Sequence, residues 1–95
     1  MHELSLAQSI LDVVARAVPP ERRACVRAVR VRVGAAAGVL VESLAFCFDA
    51  IARHSRTPGA VLCVVPAAGR ELDVVDVEVS DGAAVQAAAP VGDSA

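Results

Sequence analysis

The first three residues, Met1-His2-Glu3, combine donor groups that can hold a transition-metal ion. A free α-amine, the amide nitrogen of residue 2 and the imidazole of His2 can close adjacent chelate rings around one metal. Nitrogen-rich sets of this planar or tetragonal kind suit Ni(II) or Cu(II), and Glu3 can add a carboxylate oxygen. Because the amide must lose its proton to bind, we expect the affinity to fall with pH. The alternative is that His2 is an ordinary exposed residue at a frayed terminus.

The three cysteines are the next candidate ligands. Cys25, Cys47 and Cys63 are scattered and form no CxxC pair, which excludes a disulfide framework and a cysteine-rich zinc site on ligand count. Cys47 and Cys63 fall in apolar segments. We therefore expect buried, inert thiols there rather than soft metal ligands.

His54 lies between Arg53 and Arg56, where it could contribute to a metal or anion site. We favour a solvated loop at this position. The chain shows no Ser-His-Asp, Cys-His or paired-carboxylate arrangement, and the GAAAG segment lacks the Lys and Ser/Thr of a phosphate-binding loop. We expect no enzymatic activity.

Length and charge limit the remaining classes of protein. A chain of 95 residues forms one small domain, and its net charge of −2 argues against a general nucleic-acid binder. No apolar run reaches the roughly 20 residues that cross a bilayer, and the start lacks the positive region of a secretory signal. We expect a cytoplasmic protein with reduced thiols and no membrane or nucleic-acid partner.

Hydrophobic periodicity predicts two helices and three strands. Their order is helix, strand, helix, strand, strand, which indicates an α+β domain with two helices packed on a three-stranded mixed sheet. The strand–helix–strand unit favours a parallel crossover, and the short turn at 66–70 favours an antiparallel hairpin of the last two strands. The expected spans are 4–18, 25–33, 40–52, 60–65 and 72–79, and 80–95 is predicted to be a disordered tail.

The start of the first helix carries a capping signal. Ser5 and Gln8 have the spacing of a capping box, in which both side chains satisfy early backbone donors. This pattern predicts that residues 1–3 project as a free end beyond the cap.

Opposite charges are concentrated in different parts of the sequence. If the third strand lies beside the first, Arg30 and Arg32 share a face with Asp76 and Glu78, and we predict at least one cross-strand ion pair. The functional alternative is a docking surface for an acidic partner, formed by Arg16, Arg22 and Arg23.

The segment MHELSLAQSILDVV resembles the opening of the HypA/HybF family, the nickel metallochaperones of [NiFe]-hydrogenase maturation. The similarity continues through VRAVRVRVGAAAGVLVESLAFCFDAI, TPGAVLCVV and GRELDVVDVEV. The resemblance implies a nickel-binding domain over 1–79 that holds Ni(II) through Met1, His2 and Glu3. It also implies two partners, a HypB-like maturation GTPase and the hydrogenase large subunit, and it leaves a homodimer open.

The chain departs from the family pattern in two places. Family members carry a zinc-binding module with two CxxC pairs between the second and third strands, whereas residues 65–70 join those strands directly here; no zinc is expected. The family loop before the second helix usually carries a carboxylate, whereas this chain has Ala35, Ala36, Ala37 and Leu40. The alternative to a nickel carrier is therefore a metal-free interaction module derived from the same fold.

Overall fold

The computed structural model describes residues 2–91. Its elements confirm the α+β class and follow the predicted order as far as the third strand, except that an unpredicted 3-10 helix lies between the first helix and the first strand. One further strand is added at the end. The elements are α1 (Glu3–Ala17), a 3-10 helix (Pro20–Cys25), β1 (Val26–Gly34), α2 (Val41–Ala52), β2 (Val61–Ala67), β3 (Leu72–Val79) and β4 (Ala84–Pro90).

Helix α1 starts earlier than the capping box predicts. The helix begins at Glu3 with His2 at its N-cap, and no side chain caps that end. The prediction that residues 1–3 form a free end is therefore wrong for His2 and Glu3, while Met1 lies outside the described residues. At the other end, the Arg23 guanidinium donates to the carbonyl oxygen of Ala15 at 2.6 Å and to that of Val18 at 3.2 Å, which satisfies acceptors left over at the helix end.

The sheet has the strand order β2-β1-β3-β4. Strand β1 pairs with β2 in parallel and with β3 in antiparallel orientation. The predicted parallel crossover is confirmed, but the predicted β2–β3 hairpin is wrong because β1 lies between those two strands.

The turn after β2 crosses the end of β1, and Gly34 permits this close approach. The N–H of Gly34 donates to the carbonyl of Glu71 at 2.7 Å, and the N–H of Ala36 donates to that of Gly69 at 2.8 Å. A Cβ at Gly34 would collide with the carbonyl of Gly69. The turn between β2 and β3 is short enough for a hairpin, but it passes over the end of β1 and connects two strands that are not neighbours.

The fourth strand corrects two predictions. Strand β4 pairs antiparallel with β3, so the sheet has four strands rather than three, and the predicted disordered tail contains a strand over Ala84–Pro90. The last part of that predicted tail, 92–95, lies outside the described residues. Alternate residues Val85, Ala87 and Ala89 pack against the core, although their small side chains give a weak periodic signal.

The two faces of the sheet differ in chemistry. Both α-helices pack on one face, over an apolar core whose largest buried members include Leu6, Ile10, Leu44, Phe48, Val29 and Val77. The opposite face, here called the open face, carries alternate side chains of the strands. Its members are Val61, Cys63 and Val65 of β2, Ala28, Arg30 and Arg32 of β1, and Asp73, Asp76 and Glu78 of β3.

Ion pairs connect β1 and β3 across the open face. The Arg30 Nε lies 2.6 Å from an oxygen of Asp76, and an Arg30 Nη lies 3.9 Å from Glu78. Arg32 donates to both oxygens of Asp73, at 3.2 and 2.8 Å. The predicted cross-strand ion pair is confirmed, and the pKa of Arg30 is raised because Asp76 stabilises its charged form.

Candidate metal centre at the amino terminus

The candidate centre forms where the first turn of α1 meets the start of α2. Glu3 is buried, with 5% of its surface exposed. Its Oε2 accepts a hydrogen bond from the backbone N–H of Leu40 at 3.1 Å. Leu40 is the N-cap of α2, and no side chain from α2 itself caps that end. Glu3 therefore satisfies a donor of the second helix from the first turn of the first helix.

The loop before α2 makes this contact possible. Gly38 has a φ of 75°, a left-handed conformation that glycine adopts at little cost, and Leu40 follows two residues later. The carboxylate of Glu3 then lies at the positive end of the α2 dipole, where a negative charge is stabilising.

Hydrogen bonding lowers the pKa of Glu3 from 4.5 to about 2. Among the described residues, the backbone N–H of Leu40 contributes to this shift because it stabilises the charged carboxylate. Glu3 is therefore an anion at neutral pH, which is the form that binds a divalent cation.

The imidazole of His2 has no such partner. Its Nδ1 and Nε2 are both inaccessible to solvent, and neither has a hydrogen-bond partner among residues 2–91. A buried polar nitrogen without a partner costs free energy, and such atoms are rare in folded proteins. Ligation of a metal ion would satisfy one of these nitrogens, so the environment of His2 fits the predicted role.

The structure places His2 and Glu3 in the same helical start, whereas Met1 lies outside the described residues. Within 2–91 there is no group of three or more His, Cys, Asp and Glu side chains that could hold a metal ion. A site here must therefore draw on backbone nitrogens in addition to side chains. Residue types alone do not indicate the Leu40 contact, because its donor is a backbone N–H that every non-proline residue has.

Exposed apolar side chains surround this centre. Leu4, which follows Glu3, is 54% exposed, and Leu40 and Val41 at the start of α2 are 69% and 38% exposed. The three residues belong to the two helix ends that the Glu3–Leu40 hydrogen bond joins. Exposed apolar side chains therefore border the centre at both helix ends, beside the exposed acid Glu42 in the first turn of α2.

The other sequence candidates lie apart from this centre. Cys47 is half-buried against the core, but Cys25 and Cys63 are exposed, so the prediction of a buried thiol is wrong for Cys63. Its strand lies at the edge of the sheet, and its side chain belongs to the open face, which no helix of residues 2–91 covers. His54 lines a cavity of about 530 Å³ between α1 and the end of α2, together with Gln8, Leu11, Asp12, Ile51, Ser55, Arg56 and Thr57.

The predicted arginine docking surface is largely committed to contacts within the chain. Arg23 binds carbonyl oxygens at the end of α1. Arg22 pairs with Asp81 at 3.1 Å. Of the three arginines proposed for that surface, two therefore stabilise the fold.

Separately, no helix within residues 2–91 combines the length and apolar content needed to cross a bilayer.

Comparison with known proteins identifies the family. A family model described as "Hydrogenase/urease nickel incorporation, metallochaperone, hypA" matches residues 1–74. Hydrogenase maturation factor HypA of Chlorobium phaeobacteroides (strain BS1) is 48% identical over 64 residues, which are 67% of this chain and 57% of the relative. That of Geotalea daltonii is 43% identical over 72 residues, 74% of this chain and 63% of the relative. No solved structure matches the chain.

A third relative, the HypA of Azotobacter chroococcum mcd 1, is 41% identical over 70 residues, with 74% of this chain and 62% of the relative covered. The chain thus spans about three fifths of the length of these relatives. The family description is that of a metallochaperone, which agrees with the expectation that the chain is not an enzyme. The chain belongs to the HypA family of hydrogenase and urease nickel-incorporation proteins.

Proposed function

We propose that this chain carries Ni(II) as cargo at its amino terminus and releases it to a maturation partner. The ligands are the α-amine of Met1, the amide and imidazole nitrogens of His2, and the carboxylate of Glu3. The observation that carries the proposal is that both buried nitrogens of His2 lack a hydrogen-bond partner within the described part of the chain, 2–91. A nickel ion at this position would satisfy one of these nitrogens.

Glu3 has two roles in this proposal. Its carboxylate holds the start of α2 through Leu40, and its negative charge favours a divalent cation beside it. A carboxylate oxygen has two lone pairs, so accepting the Leu40 N–H leaves it able to bind a metal. The contact also fixes the first turn of α1, which keeps His2 in place.

Delivery requires a centre that a partner can approach. The exposed side chains of Leu4, Leu40 and Val41 provide apolar surface next to the cargo. The proposed recipients are a HypB-like GTPase and the hydrogenase large subunit. We propose the cytoplasm as the compartment, because all three cysteines are unpaired and thiols stay reduced there.

Calorimetric titration of the untagged chain with Ni(II) tests this function. We expect His2→Ala to lose at least about 100-fold in affinity, since it removes a ligand whose supporting contacts alone are worth about 10–100-fold. The matched control is His54→Ala, which removes the other histidine of the chain and should leave the affinity unchanged. Equal binding by the native chain and His2→Ala would reject the nickel centre and favour the metal-free interaction module.

A further inference from the structure

The arginines of this chain fall into two groups. Some of them bind carboxylates or carbonyl oxygens within the fold, and these are Arg22, Arg23, Arg30 and Arg32. The others form no ion pair or side-chain hydrogen bond among residues 2–91, and these are Arg16, Arg27, Arg53, Arg56 and Arg70. Contacts within the fold therefore account for the first group only.

All but one of the unpartnered arginines lie at the same end of the domain. Strands β1 and β2 are parallel and α2 connects them, so α2 ends where both strands start. Helix α1 runs in the same direction as α2, because its middle lines a cavity with the end of α2. The arginines at this end, here called the basic end, are Arg16 of α1, Arg27 of β1, and Arg53 and Arg56 after α2.

The formal charge of the chain is separated between the basic end and the rest of the molecule. The turn between β3 and β4 also reaches this end, because Asp81 pairs with Arg22. The segments that meet there are 16–27, 53–60 and 80–83, and they contain six arginines and two acids. All other residues together contain three arginines and nine acids. A concentration of one sign of charge attracts a partner of the opposite sign.

Structural roles explain only part of this surface. Arg16 lies in the last turn of α1 and Arg53 is the C-cap of α2, where a positive charge is stabilised by the helix dipole. Arg27 and Arg56 lie outside both helices, and both are exposed. Like charges gathered at one end repel one another, and an anionic ligand would relieve this repulsion.

Two acids lie near the basic end but do not pair with its arginines. Asp49 precedes Arg53 by one helical turn, and Asp12 lines the same cavity as Arg56. Neither acid forms an ion pair within the described range 2–91, and Asp12 accepts a hydrogen bond from Gln8 at 3.2 Å instead. Their charges oppose an anion at this end, so removing one of them should strengthen its binding.

The side chains of the basic end favour a partner that carries carboxylates. A guanidinium group forms planar, bidentate hydrogen bonds with a carboxylate or a phosphate. A nucleic acid fits less well, because segments 16–27, 53–60 and 80–83 contain no Phe, Tyr or Trp on which bases could stack. The acids of the remaining chain also repel a long polyanion. A short acidic peptide meets neither obstacle.

The cavity between α1 and the end of α2 gives the basic end a concave part. Its volume is about 530 Å³, and Arg56 lines it together with the hydrogen-bonding side chains of His54, Ser55 and Thr57. An extended peptide that crosses this end therefore finds polar groups beside an unpartnered guanidinium.

We propose that the basic end binds an acidic segment of a partner protein, whose carboxylates pair with Arg16, Arg27, Arg53 and Arg56. Helix α1 separates this surface from His2 and Glu3, which lie at its other end. A partner held at the basic end therefore leaves the amino terminus accessible. The interaction does not depend on nickel binding.

Calorimetric titration with a peptide of about ten glutamates, at about 20 mM ionic strength, tests the surface. A glutamine peptide of the same length is the uncharged control. We expect Arg56→Gln to weaken binding by about two- to fivefold, and Arg53→Gln/Arg56→Gln by about four- to 25-fold, as for exposed ion pairs. The matched control is Arg70→Gln, which removes an exposed, unpartnered arginine at the other end and should change the affinity less than about twofold.

A change of the opposite sign provides a second test. Asp49→Asn removes an acid near the basic end and should strengthen binding of the glutamate peptide by about two- to fivefold. Glu42→Gln removes an exposed acid from the other end of α2 and should leave it unchanged. Nickel affinity and Tm should stay close to the native values in all arginine variants, which separates this surface from the amino-terminal centre.

Three results would overturn the proposal. The first is a glutamate peptide that does not bind, or that loses equal affinity in Arg56→Gln and Arg70→Gln. The second is tighter binding of a single-stranded DNA of about ten nucleotides than of the peptide, which would assign the surface to nucleic acid. The third is self-association of the native chain that Arg53→Gln/Arg56→Gln abolishes in sedimentation equilibrium, which would assign the surface to the acids of a second copy.

Discussion

The amino-terminal centre and the open face of the sheet differ in whether their polar side chains have partners within the chain. On the open face, Arg30 and Arg32 each find a carboxylate on the neighbouring strand. At the amino terminus, both imidazole nitrogens of His2 are buried without a hydrogen-bond partner among residues 2–91. The charges that are most conspicuous in the sequence therefore pair within the fold, whereas the imidazole of His2 is the group for which we propose a ligand.

Glu3 shares features with both regions, because it has a partner within the chain and also lies in the candidate metal centre. Like the acids of the open face, it has a partner in the chain, the N–H of Leu40. Unlike them, it lies next to His2, whose imidazole nitrogens have no hydrogen-bond partner in the described range 2–91. A variant at Glu3 should therefore affect both stability and metal binding. A variant of an open-face acid should affect only stability, and a variant of His2 should affect mainly metal binding.

Among the variants that compare these two regions, Glu3→Gln is expected to have the largest effect. We predict that nickel affinity falls by about 10–100-fold, the usual cost of losing a group that supports or completes a metal site, and that Tm falls because a neutral amide is a weaker acceptor at a helix start. The matched control is Glu42→Gln, which removes an exposed acid from the first turn of α2. Calorimetry and thermal unfolding measure the two effects. A fall in Tm with unchanged nickel affinity would show that Glu3, like the acids of the open face, only stabilises the fold.

A smaller effect is expected from the pair of Arg32 and Asp73. Reversing one charge, as in Asp73→Arg, places two like charges across neighbouring strands and should lower Tm by about 1–5 °C, discounted for solvent screening. The double reversal Arg32→Asp/Asp73→Arg should recover most of that loss. Nickel affinity should stay at the native value in both variants. A loss of nickel binding would show that the two regions are coupled, which would break the contrast between them.

The smallest effect is a pH dependence at Asp81. The N–H of Ala83 and the guanidinium of Arg22 hold the pKa of Asp81 below its ordinary value of 3.8. A lowered pKa in the folded state means that the unfolded chain binds the proton more tightly. The contribution to stability is therefore complete above the ordinary value and is lost as pH falls through the lowered one. The Tm difference between the native chain and Asp81→Asn should shrink on acidification below about pH 4. A difference that is constant with pH would contradict this assignment.

The elements with strong periodicity were predictable from the sequence. The alternation of valine with arginine in β1 and with acids in β3 identified both strands, and it also predicted the ion pairs between them, because side chains of one parity share a face. Helix α2 followed from its apolar spacing and lies within a residue of the predicted start.

The errors arose where tertiary contacts outweigh local signals. Strand β4 has small side chains and little periodicity, and pairing with β3 makes it a strand. The β2–β3 hairpin failed because the turn passes over Gly34, where the missing Cβ leaves room for Gly69. Cys63 is exposed because β2 is an edge strand without a helix over its open face.

The candidate centre was predictable in residue type but not in geometry. The Met1-His2-Glu3 start predicts candidate ligands, because amine, amide and imidazole nitrogens can form chelate rings for nickel, and their role stays a prediction. The role of Leu40 was not predictable, because its backbone N–H, rather than its side chain, binds Glu3.

The most direct test of the nickel centre is calorimetric titration of a chain with three additional glycines before Met1. The extension converts the α-amine of Met1 into a peptide nitrogen and moves the new terminal amine too far from His2 to close adjacent chelate rings with its imidazole, while His2, Glu3 and the rest of the chain stay unchanged. We predict that tight Ni(II) binding is lost while Tm in the absence of metal changes little. Unchanged nickel affinity in the extended chain would contradict a centre built on the terminal amine.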